Sequence, residues 1–170
     1  MNKNIKLSLT VVEVRKACRH FAMLYFHFCN NLVKELGEEK AYHIVQKTLF
    51  EMAIDRSDQL KVIAKNKNLE LTMENFPLVN DLPRSGWVKE LGREQCPYAE
   101  TWFFYVKKYI WFKKFAELYC WVVDTTNCEN FTGNTSYKMT QCVFWGDSGC
   151  SHVYIKSDDV KNGKYKYGTK

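Results

Sequence analysis

The chain has 170 residues, 46% of them hydrophobic and 15% aromatic, with 3 prolines and 8 glycines. That length suits one domain with a single sizeable core, and that composition excludes a disordered or low-complexity chain. The net charge of +6 owes much to the tail 157–170 and Lys156 before it, which together carry five lysines and two aspartates and read as a solvated end rather than a nucleic-acid-binding stripe.

The opening MNKNIKLSLTVVEV has no long apolar stretch and no small-residue cleavage site, so a signal peptide is not expected. The most apolar later windows are broken by charge, as at Lys107 and Lys108, so no membrane span is expected. A cytoplasmic setting follows, in which the seven cysteines stay reduced; their odd number also argues against a complete disulfide framework. Asn130-Phe131-Thr132 and Asn134-Thr135-Ser136 are then chance matches to a glycosylation triplet.

Thr10, with Glu13 three residues on, forms a capping box that predicts a helix start. Val11, Val14, Cys18, Phe21, Ala22, Tyr25, Phe28, Cys29, Leu32, Val33 and Leu36 follow at helical spacing until Gly37 stops the helix. Cys18 and Cys29 fall on that stripe as core residues, and His20 and His27 have no ligand partner at useful spacing. A second helix is predicted from Glu38 to about Lys65, through Ala41, Ile44, Val45, Leu49, Met52 and Ala53. The two make a helical hairpin.

From Leu69 to Gln95 the pattern is broken by Pro77, Pro83, Gly86 and Gly92, predicting a connector with short strands at 87–91 and 93–96. Pro97 fits the first turn of a helix running to Val123, with a break near Lys107 and Lys108. Eleven aromatic rings between Tyr98 and Trp121 exceed what one helix face can bury, so some should line a groove, a partner surface or a second layer. After Asp124 the Thr, Asn and Gly content predicts a loop to about Ser136. Alternating β-formers at 137–145 and 150–156 then flank Gly146-Asp147-Ser148-Gly149 as a β-hairpin. The expected fold is α+β: a helical part (8–66), a connector (67–95), a Cys-bearing aromatic helix and hairpin (96–156) on a small antiparallel sheet, and the tail (157–170). All of it reads as one domain.

Chemistry concentrates in the last third, which holds Cys120, Cys128, Cys142 and Cys150, with Cys96 one helix upstream. Two hairpin registers are open. A three-residue loop pairs Phe144 with His152 and Cys142 with Tyr154, putting Cys142, Cys150 and His152 on one face. A four-residue loop shifts the pattern by one and separates the cysteines. Cys120 and Asp124 project from one helix face near its C-terminal end, where the carboxylate and the dipole both raise the thiol pKa. A cation nearby would reverse that. Cys96, at a helix N-terminus, has the opposite bias and is the better intrinsic nucleophile. Zinc could recruit three or four of Cys96, Cys120, Cys128, Cys142, Cys150 and His152, although Cys120-x7-Cys128 and Cys142-x7-Cys150 lack the short knuckle spacing typical of structural zinc. No nucleophile elbow, phosphate loop, dinucleotide fingerprint or H-E-x-x-H occurs.

The order Cys96-Pro97-Tyr98-Ala99-Glu100, then Glu117-Leu118-Tyr119-Cys120-Trp121-Val122-Val123-Asp124, then Met139-Thr140 to Gly146-Asp147-Ser148-Gly149-Cys150, resembles the bacterial L-2-amino-thiazoline-4-carboxylic acid hydrolase family. The likeness covers about 96–155. It departs where Ser151 and His152 follow Cys150 in place of an acidic and an aromatic residue. A looser similarity, cysteines around a terminal hairpin, links the chain to 4-vinyl-reductase-like ligand-binding domains.

The resemblance implies a small-molecule hydrolase opening a cyclic isothiourea to a carbamoyl-cysteine. Cys96, Cys120, Asp124 and Cys150 would be its catalytic residues. Trp102, Tyr119, Trp145, His152 and Arg93 would contact substrate, Arg93 by anchoring a carboxylate. The alternatives are a non-catalytic small-molecule sensor and a structural zinc domain. No membrane or nucleic-acid partner is expected, and assembly of identical chains is left open.

Overall fold

A computed structural model describes residues 7–79, 81, 84–87 and 96–156. Its elements run α1 (Leu7–Leu36), α2 (Glu38–Asn66), α3 (Phe76–Val79), α4 (Pro97–Lys108), α5 (Phe112–Thr132), β1 (Thr135–Gln141) and β2 (Ser151–Lys156), with 3-10 turns at Arg84–Trp87 and Val143–Trp145. The architecture is α+β: mostly helical, with a two-stranded antiparallel sheet at the C-terminal end. The chain divides into two compact units, 1–43 with 82–116, and 44–81 with 117–170.

In the first unit α1 packs against α4. Val11, Cys18, Ala22, Tyr25, Phe26 and Cys29 form its buried stripe. The expected stripe differs at one ring, because Phe28 is exposed and Phe26 takes the core position, stacked on Tyr105 with centroids 3.7 Å apart. Thr10 does not cap α1, which begins at Leu7; Glu13 accepts a hydrogen bond from Lys16 at 2.8 Å instead of turning back to close a box. Gly37 ends the helix in the left-handed region, φ 77°, its N–H donating to Val33 O at 3.0 Å.

Most of the surplus rings are accounted for here. Trp102, Phe112 and Phe115 are fully buried, each burial contributing roughly 2–3 kcal/mol. Tyr25 donates to Phe115 O at 2.8 Å and Trp102 donates its indole N–H to Ala22 O at 3.0 Å, so the polar ends of the buried rings are satisfied. The turn at Arg84–Trp87 sits so close to α1 that a Cβ on Gly86 would lie 2.8 Å from Val14 Cγ1. Arg15 locks that contact by donating to Gly86 O at 2.8 Å while pairing with Glu100.

The second unit packs the later part of α2, α3, most of α5 and the ribbon. Leu60, Ala64, Val79 and Phe131 make its core, flanked by Ile63, Leu69 and Phe76. Within the connector the described residues form α3 and a 3-10 turn. The two expected strands, 87–91 and 93–96, lie outside the described residues except for Trp87 and Cys96, as does the tail 157–170.

The largest departure is α5, which does not stop at Asp124 but continues to Thr132. Two of the side chains that suggested a loop, Thr125 and Asn130, have partners on other elements. Thr125 Oγ1 donates to Tyr137 O at 3.0 Å; at Asn127 the backbone carbonyl accepts from the buried Ser57 at 3.2 Å, while the buried side-chain Oδ1 has no hydrogen-bond partner among the described residues. Asn130 Nδ2 donates to Asp58 at 2.9 Å. Tertiary partners override the loop-favouring composition.

Both expected hairpin registers are also wrong. Tyr137 pairs with Tyr154, Met139 with His152 and Gln141 with Ser151, with an irregularity between Met139 and Gln141. The connection is longer than a hairpin turn because Val143–Trp145 coil into a 3-10 turn ended by left-handed Gly146, φ 97°.

Candidate functional site

The site is built on α5. Cys120, Asp124 and Cys128 recur every fourth residue and share one face. At the helix end Gly133 takes φ 71° and its N–H donates to Glu129 O at 2.8 Å. Thr132 Oγ1 donates to Cys128 O and accepts from Thr135 N–H at 3.0 Å each. This stop reverses the chain, so β1 runs back along α5. Ser136 is buried and donates to Glu129 at 2.6 Å, and Tyr137 arrives beside Asp124.

The Tyr137 hydroxyl lies within electrostatic reach of the Asp124 carboxyl. Burial pushes the Asp124 carboxyl up to about 6, with the nearby Arg56 charge and the Tyr137 hydroxyl opposing that rise. Arg56 in turn grips Asp81, with Nε 2.8 Å from Oδ1 and 3.0 Å from Oδ2 and Nη2 2.5 Å from Oδ1. Burial works against the Arg56 charge, but Asp81, with Asp124 and Tyr119 adding smaller contributions, holds the guanidinium protonated. Arg56 thus brings a cation within electrostatic reach of Asp124.

The ribbon brings two sulfurs to the same face. Cys142 lies within electrostatic reach of both Cys120 and Cys150, so the three thiols form a row. The neighbouring Cys120 raises the Cys142 thiol to about 11, and Cys142 together with partial burial raises Cys150 as well. The Tyr137 hydroxyl lies within electrostatic reach of Asp124, Cys120, Tyr154 and Cys150, and burial pushes it up as well. His152 stacks on Tyr137 with centroids 4.5 Å apart; burial there lowers its basicity.

Cys120, Asp124 and Cys150 thus come together, with Cys142 between the sulfurs. Cys96 precedes Pro97 at the start of α4, in the first unit. Trp102 is buried in the core of the first unit, its indole N–H on Ala22 O. Tyr119 is half-buried within electrostatic reach of Arg56, and Trp145 is part-exposed in the turn between the strands. Cys128 is buried, hydrogen-bonded to Met73 Sδ and Thr135 O at 3.3 Å each, and burial raises it to about 12. Arg93 lies outside the described residues. Among the described residues no group of three or more His, Cys, Asp or Glu side chains is placed to hold a metal ion, the set proposed for zinc included. All seven cysteines are thiols.

Arg56, Asp81 and Tyr137 were not singled out by sequence. Arg56 follows Asp55 in mid-helix and reads as one more solvated charge; only its separation of 25 residues from Asp81 hides the pairing. A groove of about 610 Å³ in the first unit was also missed. Arg15, Lys16 and Arg19 line one side and Phe104 the other, and the basic spacing on α1 was its only sequence signal.

No described helix is long and apolar enough to cross a membrane. Comparison with family models, curated proteins and solved structures found no match.

Proposed function

We propose that the second unit carries a hydrolase site for a small cyclic amidine of the L-2-amino-thiazoline-4-carboxylate type. The observation that carries this reading is the row of Cys120, Cys142 and Cys150 beside the buried Asp124–Tyr137 pair. Cys120 ends the row on α5, one helical turn from Asp124, so its sulfur is the one assigned to attack. A carboxyl raised to about 6 suits a general base near neutral pH.

In this reading the ring's protonated amidine rests against Asp124, and Cys120 adds to the amidine carbon as its proton passes to that carboxylate. A ring bond to that carbon opens, and water then releases the carbamoyl group from sulfur. The net change is one water added at the amidine carbon and one ring bond broken, giving a carbamoyl-cysteine. Tyr119, Trp145 and His152 would contact the substrate. A cytoplasmic setting, with reduced thiols, belongs to the same proposal.

A second reading, a non-catalytic binder of the same ligand class, is favoured by the high proton affinity of Cys142 and Cys150, which keeps both sulfurs protonated at neutral pH. One assay separates the two. Purified full-length protein is incubated with the thiazoline carboxylate and carbamoyl-cysteine is followed by mass spectrometry. Turnover that Cys120→Ser abolishes without changing the melting temperature supports the hydrolase. Saturable binding without product supports the binder, and neither binding nor product ends both readings.

A further inference from the structure

Cys142 and Cys150 occupy the positions just beyond the last ladder pair of the ribbon, Gln141 with Ser151. Residues facing each other across an antiparallel pair have Cα atoms about 4.5–5.5 Å apart, within the span that a disulfide bridges. Here the two sulfurs lie within electrostatic reach of one another. The loop joining them is pinned from within. Cys142 N–H donates to Asp147 Oδ2 at 2.8 Å, Trp145 N–H donates to Cys142 O at 2.8 Å, and Gly146 supplies the left-handed turn. Cys142 is wholly buried and Cys150 is exposed, so one sulfur faces solvent and the other waits behind it.

We propose that Cys142 and Cys150 are a redox-active dithiol, closed to an intramolecular disulfide by exchange with a low-molecular-weight disulfide. Cys150 gives its proton to water and its thiolate attacks one sulfur of the small disulfide. That S–S bond breaks, a mixed disulfide forms at Cys150, and the first small thiolate leaves and takes up a proton. Cys142 then loses its proton to solvent and attacks the Cys150 sulfur, forming the protein disulfide and releasing the second small thiolate, which is protonated in turn. Two protein thiols are oxidised, one small disulfide is reduced to two thiols, and no further reactant is needed.

The two thiols, each raised by its neighbours and by burial, leave the thiolates scarce at neutral pH. Exchange is therefore slow, and its rate rises about tenfold per pH unit below the thiol pKa. A pair of this kind follows the sustained ratio of small disulfide to small thiol, not a brief oxidant pulse. Closure also removes the Cys142 thiol proton within electrostatic reach of Cys120, so the redox state of the ribbon is felt at the sulfur on α5. The inference needs only the two thiols and stands apart from the hydrolase reading.

The test equilibrates the full chain with mixtures of glutathione and its disulfide, quenches with acid, alkylates the remaining thiols and digests with trypsin. Cleavage after Lys114, Lys138 and Lys156 puts Cys142 and Cys150 in one peptide, 139–156, and Cys120 and Cys128 in another, 115–138. The expected product is peptide 139–156 lighter by two hydrogens, without alkyl groups, and restored by excess small thiol. Its closed-to-open ratio should exceed that of the denatured chain by at least about tenfold, because the folded loop prearranges the sulfurs. A peptide 139–156 linked to 115–138, a lasting glutathione adduct on Cys150, an unreacted dithiol at equilibrium, or a smaller preference over the denatured chain would each overturn the proposal.

Discussion

Tyr137, on the first strand of the ribbon, brings its hydroxyl within electrostatic reach of the carboxyl of Asp124 on α5. That approach of ribbon to helix restrains the rise in carboxyl pKa that burial imposes. Tyr137→Phe keeps the ring and deletes the donor. The Asp124 carboxyl should then titrate above its present value of about 6, read from its carbon-13 shift against pH. An unchanged midpoint would show that the hydroxyl does not serve this carboxylate.

Asp124 also ties stability to pH. Its folded value of about 6 lies above the ordinary 3.8, so between the two the native state keeps a proton that the unfolded state gives up. This contribution is full below about pH 4, falls as pH rises through 6, and stays lost above. Asp124→Asn has no proton to lose. Its stability relative to the parent should be higher at pH 7 than at pH 4 by on the order of 2–3 kcal/mol, measured by urea unfolding. Parallel pH profiles for the two proteins would contradict the burial of an ionised group here.

Phe131 is 1% exposed and meets Phe76 edge-on at 5.2 Å in the core of the second unit. Phe131→Ala should destabilise the protein by about 3–5 kcal/mol through lost burial and the cavity left behind. Phe104, 68% exposed, is the control: its replacement by Ala should shift stability by no more than about 0.5 kcal/mol. Denaturant midpoints measured side by side check both.

Gly37 has nothing within 4 Å of where a Cβ would sit, so Gly37→Ala meets no clash and tests backbone strain alone. With φ at 77° it should cost about 1 kcal/mol, and Gly37→Asn less, as a lowered melting temperature.

The helical part was legible because its signals are local. The stripe from Val11 to Cys29, the stop at Gly37 and Pro97 in the first turn of α4 are each read within a few residues. The course of α5 was not legible. Thr125, Asn127 and Asn130 favour a loop in isolation and become helical through partners at Tyr137, Ser57 and Asp58, which no window on α5 contains.

The hairpin register failed for a related reason. Asp147 reaches back to cap the Cys142 N–H, which turns what looks like strand into a 3-10 coil and shortens β1 to end at Gln141. For the site, the Cys120–Asp124 face was legible from helical spacing, whereas the approach of Cys150 was expected through a hairpin register that the ribbon does not adopt. Arg56 and Asp81 were not legible, since nothing in a solvated-looking helix marks which charge will be gripped. Cys96 was grouped with the other thiols through the family resemblance, and its place at a helix start speaks to reactivity alone.

The three sulfurs in the row come from α5 and from the two sides of a connection between just two strands. A lone two-stranded ribbon is marginal in water, so this one holds its shape by leaning on α5. The helical scaffold can accordingly outlast the chemistry. A single nick at the exposed Gly133–Asn134 junction would leave the circular-dichroism signature of a helical protein almost intact while releasing two members of the trio. Amide exchange along Thr135–Gln141 is therefore the sensitive gauge of whether the machinery is assembled, whereas bulk helicity is blind to it.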